Sequence, residues 1–291
     1  RRSVQARMPE IKTPATPDDL NPWDDDNIWD MVSCGDTRGI HHIESPAMTN
    51  LHQMCCCRDI DVLIAIVSVI RPGAANTMRK ERFALRSQGL EPVDYTHPSL
   101  EPVLKTTFGV VAYEEHVLQI AEVFAGWPAG RADQLRRALV KNRLGTVRQL
   151  KNEFTAHAHK AGRHPAEIEV VWDLLEGFRG YAFCRAHSTV YALEAYQAAW
   201  YKCYYPTEFF ASVLTHGKGF YDPLVYSIEA RRHGIEFLAP SINGPLETFE
   251  PNVEPHPSEK KDRRSIQVPL SQIRDVSTRL LEWIQREQER D

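Results

Sequence analysis

Gly180-Tyr181-Ala182-Phe183-Cys184-Arg185-Ala186-His187 leads directly into residues 188–205, a segment that is apolar nearly all round and carries Ala192, Ala195, Ala198 and Ala199. An all-round apolar helix is expected to be central and buried, and small alanines let neighbours approach closely. The preceding residues read as a loop that sets a guanidinium and an imidazole at a helix N-terminus. Backbone N–H groups point outward there and the dipole favours anions, so Arg185 with His187 marks a place suited to phosphate oxygens. Alone, a histidine in such a place reads as a packing or capping residue.

Working outward, Val117, Ile120, Ala121 and Phe124 fall at i, i+3, i+4 and i+7 before Gly126, which predicts a helix ending at that glycine. A second helix is expected over 132–141, burying Leu135, Ala138 and Leu139, with Arg137 and Lys141 one turn apart on an exposed flank and Arg136 beside it. Pro165 stands where a first helical residue belongs, followed by Ile168, Val171, Trp172 and Leu175 on one face. Pro206 and Asp222-Pro223 open two further helices, and 235–238 reads as a strand. The pattern is mainly α with a few short strands. Its parts are an extended lead-in over 1–25, a helical domain over 26–217, a helix and strand connection over 218–245, and a loose segment with a terminal helix over 246–291.

The 291 residues, 42% hydrophobic and 25% charged with net charge −4, describe a folded protein whose bulk charge does not advertise a polyanion binder. The most apolar stretch, 62–70, interrupted only by Ser68, is too short to span a bilayer, and six cysteines, three of them consecutive, make no disulfide framework. A cytoplasmic protein is expected. The first residue is Arg1, which fits a fragment. Between Arg131 and Arg163 stand nine Lys or Arg residues against two acids, a local cationic patch that reads either as a solvated face or as a nucleic-acid surface. Asp59 and Asp61 have a spacing seen in two-metal sites, but acids before a buried helix more simply cap it. A zinc site drawn from His41, His42, His52 and Cys55 to Cys57 meets the difficulty that three consecutive cysteines cannot all face one tetrahedral centre.

Several collinear motifs carry a resemblance. Leu135-Arg136-Arg137-Ala138 and the 180–187 segment resemble the fingers region of the bacterial DNA polymerase III alpha subunits, the C-family replicative polymerases. So do Gly39-Ile40-His41-His42-Ile43-Glu44-Ser45-Pro46, Ile70-Arg71-Pro72-Gly73, His97-Pro98-Ser99-Leu100-Glu101-Pro102, Tyr191-Ala192-Leu193 and Tyr205-Pro206-Thr207-Glu208-Phe209. The likeness runs from about Asp24 to Asn243. It implies a multi-helical fingers domain of a DNA-directed DNA polymerase, a nucleotidyltransferase of DNA replication, gripping template-primer DNA and the incoming dNTP. By the same match, Arg136 and Arg137 would face nucleotide phosphates, Arg185 and His187 would line the pocket, Tyr181 and Phe183 would shape it, and Lys141 and Arg71 would be further contacts.

The resemblance has departures. The family's Tyr-Gln-Glu-Gln segment stands here as Tyr113-Glu114-Glu115-His116, and its Gly-Lys-Lys step after the double arginine stands as Val140-Lys141-Asn142. Asp275-Val276-Ser277 lacks the glycines of a tight hairpin. Nothing here matches the family's palm, with its three metal-binding aspartates, or its phosphoesterase-like domain. The expectation is therefore that this chain holds no catalytic residue and no metal. The polymerase's Mg²⁺ would sit on a palm-bearing portion, the sliding clamp and other replication subunits would join elsewhere, and the chain alone would be inactive. A non-catalytic DNA-binding module derived from such a polymerase is the alternative.

Overall fold

The computed structural model describes residues 23–70, 76–178, 183–217, 219–254 and 263–289. Among them run helices α1 Asp26–Ser33, α2 Pro46–Cys55, α3 Ile60–Val69, α4 Asn76–Ser87, α5 Glu101–Leu104, α6 Glu114–Ala125, α7 Ala129–Val140, α8 Leu144–Lys160 and α9 Pro165–Glu176. After these come α10 Arg185–Tyr204, α11 Pro206–His216, α12 Pro223–Arg232, strands β1 Glu236–Leu238, β2 Glu250–Glu254 and β3 Arg263–Gln267, and α13 Thr278–Gln288. The fold is mainly α with one small sheet. Its contacts divide it into two compact units, 23–36 with 46–193, and 37–45 with 194 onward.

Local chemistry explains many helix starts in the first unit. The Asp25 side chain accepts from Asn27 N, and Asp59 accepts from Asp61 N at 2.8 Å and Val62 N at 3.1 Å. Both satisfy backbone donors that a helix start leaves open. Gly126 ends α6 at φ +61, a left-handed stop that glycine adopts without strain. The periodic positions meet in one core. Val117, Ile120, Ala121 and Phe124 of α6 pack with Leu135 and Leu139 of α7, Val147, Leu150 and Phe154 of α8, and Ile168, Val171 and Trp172 of α9. Phe154 lies at its centre, 6.0 Å from the Phe124 ring centroid, 5.7 Å from Trp127 and 5.4 Å from Trp172.

In the second unit, β3 is the middle strand of the order β1-β3-β2, parallel to β1 and antiparallel to β2. Only the first of these strands is expected from the sequence. Glu44 is buried and accepts from Gly39 N at 2.9 Å, Phe220 N at 2.7 Å and the Tyr226 hydroxyl at 2.9 Å. Burial, with the Glu44 carboxylate beside it, pushes the Tyr226 phenol up to about 12. Glu229 is a second buried acid, paired with Arg38 at 2.8 Å and with the fully buried Lys202 at 3.8 Å. Asp275, where the sequence lacks a glycine, takes φ +69, a conformation Asp tolerates better than most residues.

Helix α10 corrects two expectations. It begins at Arg185, so Arg185 and His187 lie in its first turn and not in a loop ahead of it. Its first half is buried only at Ser188 and Ala192, with Val190 52% exposed and Glu194 open to solvent, whereas no residue of 195–203 is exposed and Ala195, Tyr196, Ala199, Trp200 and Lys202 are buried. The expected all-round burial therefore holds for the second half of the helix and not for the first.

Candidate functional site

Two of the residues singled out in sequence, Arg136 and Arg185, are tied to the start of α6, within the first unit. Tyr113 and Phe183 pair as an isolated parallel bridge, and Glu114 N donates to Phe183 O at 3.1 Å. This links the segment leading into α10 to the segment leading into α6. Arg185 N then donates to both carboxylate oxygens of Glu115 at 3.0 Å. The Glu115 carboxylate therefore sits at the α10 N-terminus, where backbone donors and dipole favour negative charge.

At the preceding residue of α6, the Arg136 guanidinium from α7 donates to the Glu114 carboxylate, and its Nε reaches Asp133 Oδ1 at 2.9 Å. Burial lowers the Arg136 pKa, but the hydrogen bond to Asp133 and the charge of Glu114 outweigh it, so the net shift is upward. Asp133 is held below the usual carboxylate range, first by its hydrogen bond from Arg136. Arg137 also reaches Asp133, at 2.7 Å, with its side chain 66% exposed. Arg136 and Arg185 are thus bound to consecutive residues, Glu114 and Glu115, one by its side chain and the other by its backbone N–H.

The Arg185 guanidinium lies 5.8 Å from the Tyr113 ring centroid and 3.7 Å from Asp61. Burial pushes the Tyr113 phenol up, so it stays protonated at neutral pH. His187 is exposed, stacked on Phe183 at 5.5 Å and tilted over Tyr191 at 4.1 Å. Lys141 caps the C-terminal end of α7 and has no ion pair among the described residues. Tyr181 and Arg71 lie outside the described residues.

The partners that sequence reasoning missed are Glu114 and Glu115. A clue was present in two adjacent acids in the first turn of a helix, but which donors they meet, a guanidinium for Glu114 and a backbone N–H for Glu115, depends on chain 22 and 70 residues away. Asp59 and Asp61 do not fit a two-metal set. The first is engaged as a helix cap and the second faces Arg185. Burial pushes the Cys55 and Cys57 thiols up to about 12. Among the described residues, no helix is long and apolar enough to cross a membrane.

Comparison with known proteins adds a separate line. A family model described as the bacterial DNA polymerase III alpha subunit finger domain matches residues 5–162. The chain is 36% identical over 226 residues to DNA polymerase III subunit alpha of Campylobacter jejuni, covering 77% of this chain and 19% of that protein. It is 35% identical over 237 residues to the subunit of Escherichia coli K12, covering 79% and 20%. It is also 35% identical over 230 residues to the error-prone DNA polymerase of Symbiobacterium thermophilum, covering 78% and 21%. The chain spans about a fifth of the length of these curated relatives.

Proposed function

The chain belongs to the bacterial DNA polymerase III alpha subunit family, as a part related to its fingers, and from that premise we propose that it binds the triphosphate of an incoming dNTP beside template-primer DNA. The observation that carries this reading is the attachment of Arg136 and Arg185 to the consecutive residues Glu114 and Glu115. Two guanidiniums from separate helices, with Arg137 and His187 beside them, can bind phosphate oxygens in two-pronged fashion and offset charge that spreads onto a leaving pyrophosphate. Phe183, with Tyr181 two residues before it in sequence, would shape the wall. Lys141 and Arg71 would be outer contacts.

In this reading the chain grips and the chemistry is supplied from a palm-bearing polymerase portion. In-line transfer needs Mg²⁺ held by clustered carboxylates, and the acid pair at 59 and 61 is committed elsewhere. Clamp and other replication subunits would engage the assembled polymerase. A non-catalytic DNA-binding role is the second reading, favoured by a specific observation: exposed Lys141, Arg143, Arg148 and Lys160 carry no ion pair among the described residues.

The test is DNA and nucleotide affinity measured across a salt series for the parent chain and for Arg136→Ala/Arg137→Ala. Each lost phosphate contact should flatten the slope of log affinity against log salt by about 0.9 for duplex DNA, so a change of roughly one to two is expected, with dNTP affinity falling too. An unchanged slope with unchanged dNTP affinity refutes the site. Salt-sensitive DNA binding with no nucleotide binding selects the second reading. Templated synthesis restored by a complementary palm-bearing chain selects the first.

A further inference from the structure

The guanidiniums of the candidate site are already matched by carboxylates. Arg136 holds Glu114 and Asp133, Arg137 holds Asp133, and Arg185 lies 3.7 Å from Asp61 while its N–H binds Glu115. Three guanidiniums therefore meet three carboxylates, and a fourth carboxylate, Glu115, is held by a backbone N–H. The acids differ in how they are placed. Asp133 lies one turn before both α7 arginines on their own helix, so it can follow them through a side-chain rearrangement. Glu114 comes from a different helix and is fixed at its first residue, with its backbone N–H bonded to Phe183 O. Its side chain is only 20% exposed, and that of Arg136 only 23%, so the pair is screened less than a surface ion pair.

We propose that Glu114 is a resident counter-anion that competes with phosphate for Arg136 and so sets the nucleotide affinity of this site. The inference rests on the phosphate-binding reading given above. A triphosphate oxygen that takes the Arg136 donors must displace the Glu114 carboxylate, which is then left partly buried, unpaired and close to a second anion. Both consequences oppose binding. An amide of the same shape would remove the negative charge. Its oxygen could still accept from Arg136, and its NH₂ could turn toward a phosphate oxygen, so that the competitor becomes a donor.

The experiment is equilibrium binding of fluorescently labelled dATP, and of unlabelled inorganic triphosphate as competitor, to the full 291-residue chain. It compares the parent, Glu114→Gln, Glu114→Ala, Arg136→Ala and Glu114→Gln/Arg136→Ala. Glu114→Gln is expected to tighten both ligands on the order of tenfold, the scale of one charge-assisted contact. Glu114→Ala should tighten them as well, and the gain should vanish when Arg136 is absent, giving a coupling that local damage to the fold would not produce. Equal or weaker binding by both Glu114 variants, with the parent binding measurably, overturns this inference and leaves the phosphate site standing. Absence of binding by every variant overturns the phosphate site and the inference together.

Discussion

His52 offers a stability test in which the structure supplies the magnitude. It lies on α2 with no exposed surface, and neither ring nitrogen has a hydrogen-bond partner. Burial lowers its pKa from 6.5 to about 3. The unfolded chain therefore takes up a proton as pH falls through 6.5, and the folded chain does not until about pH 3. The cost is nearly absent at pH 7, grows as pH falls, and is complete below the folded value. At about 1.36 kcal/mol per pH unit, His52 should cost the fold about 2 kcal/mol between pH 7 and pH 5, and about 5 kcal/mol in full. The nearby Cys55 and Cys57 thiols, pushed up to about 12, do not titrate in that window. His52→Leu keeps a similar volume and removes both unsatisfied nitrogens, so it should stabilise by about 1 to 3 kcal/mol at pH 7. Urea unfolding of parent and variant at pH 7 and pH 5 measures both effects. The gain from leucine should be larger by about 2 kcal/mol at pH 5. A gain that is the same at both pH values, or a loss, refutes the reasoning.

Trp172→Ala should destabilise by about 3 to 5 kcal/mol in chemical denaturation, because the ring is 1% exposed and packs on Phe154 at the centre of the helical core. A cost under about 1 kcal/mol would mean that this core does not depend on the ring. Gly109→Ala should cost about 2 kcal/mol or more, read as a drop in thermal midpoint. The backbone there has φ +79, and a Cβ would lie 2.4 Å from Asp94 O and 3.0 Å from an Arg86 nitrogen.

The elements legible in the sequence are those whose causes are local. Asp59, Pro165 and Asp222 announce helix starts because a cap or a fixed φ acts within three residues. The α6 periodicity predicts a buried face because the spacing alone puts Val117, Ile120, Ala121 and Phe124 on one side. The start of α10 is misplaced by three residues for the opposite reason. Its first backbone donor is satisfied by Glu115, 70 positions away, which no window around residue 185 contains. Strands β2 and β3 are hidden similarly: β2 carries a proline and alternates only between exposed and half-buried, and its pairing with β3 fixes both. At the candidate site, the cations are visible as residue types but their carboxylate partners are set by packing. Motif reading therefore finds the arginines and overlooks the acids that neutralise them.

Glu44 carries a consequence for how the polypeptide matures on the ribosome. Its acceptors serve Phe220 and Tyr226, 176 and 182 positions downstream. At roughly 5 to 20 residues per second of synthesis, residues 37–45 emerge roughly 10 to 40 s before those donors exist. The intervening 46–193 stretch, with its own apolar core, is complete before then. Assembly is vectorial: the later-made end of the chain returns to claim a strip that left the exit tunnel early, and until it does the Glu44 carboxylate stays in water.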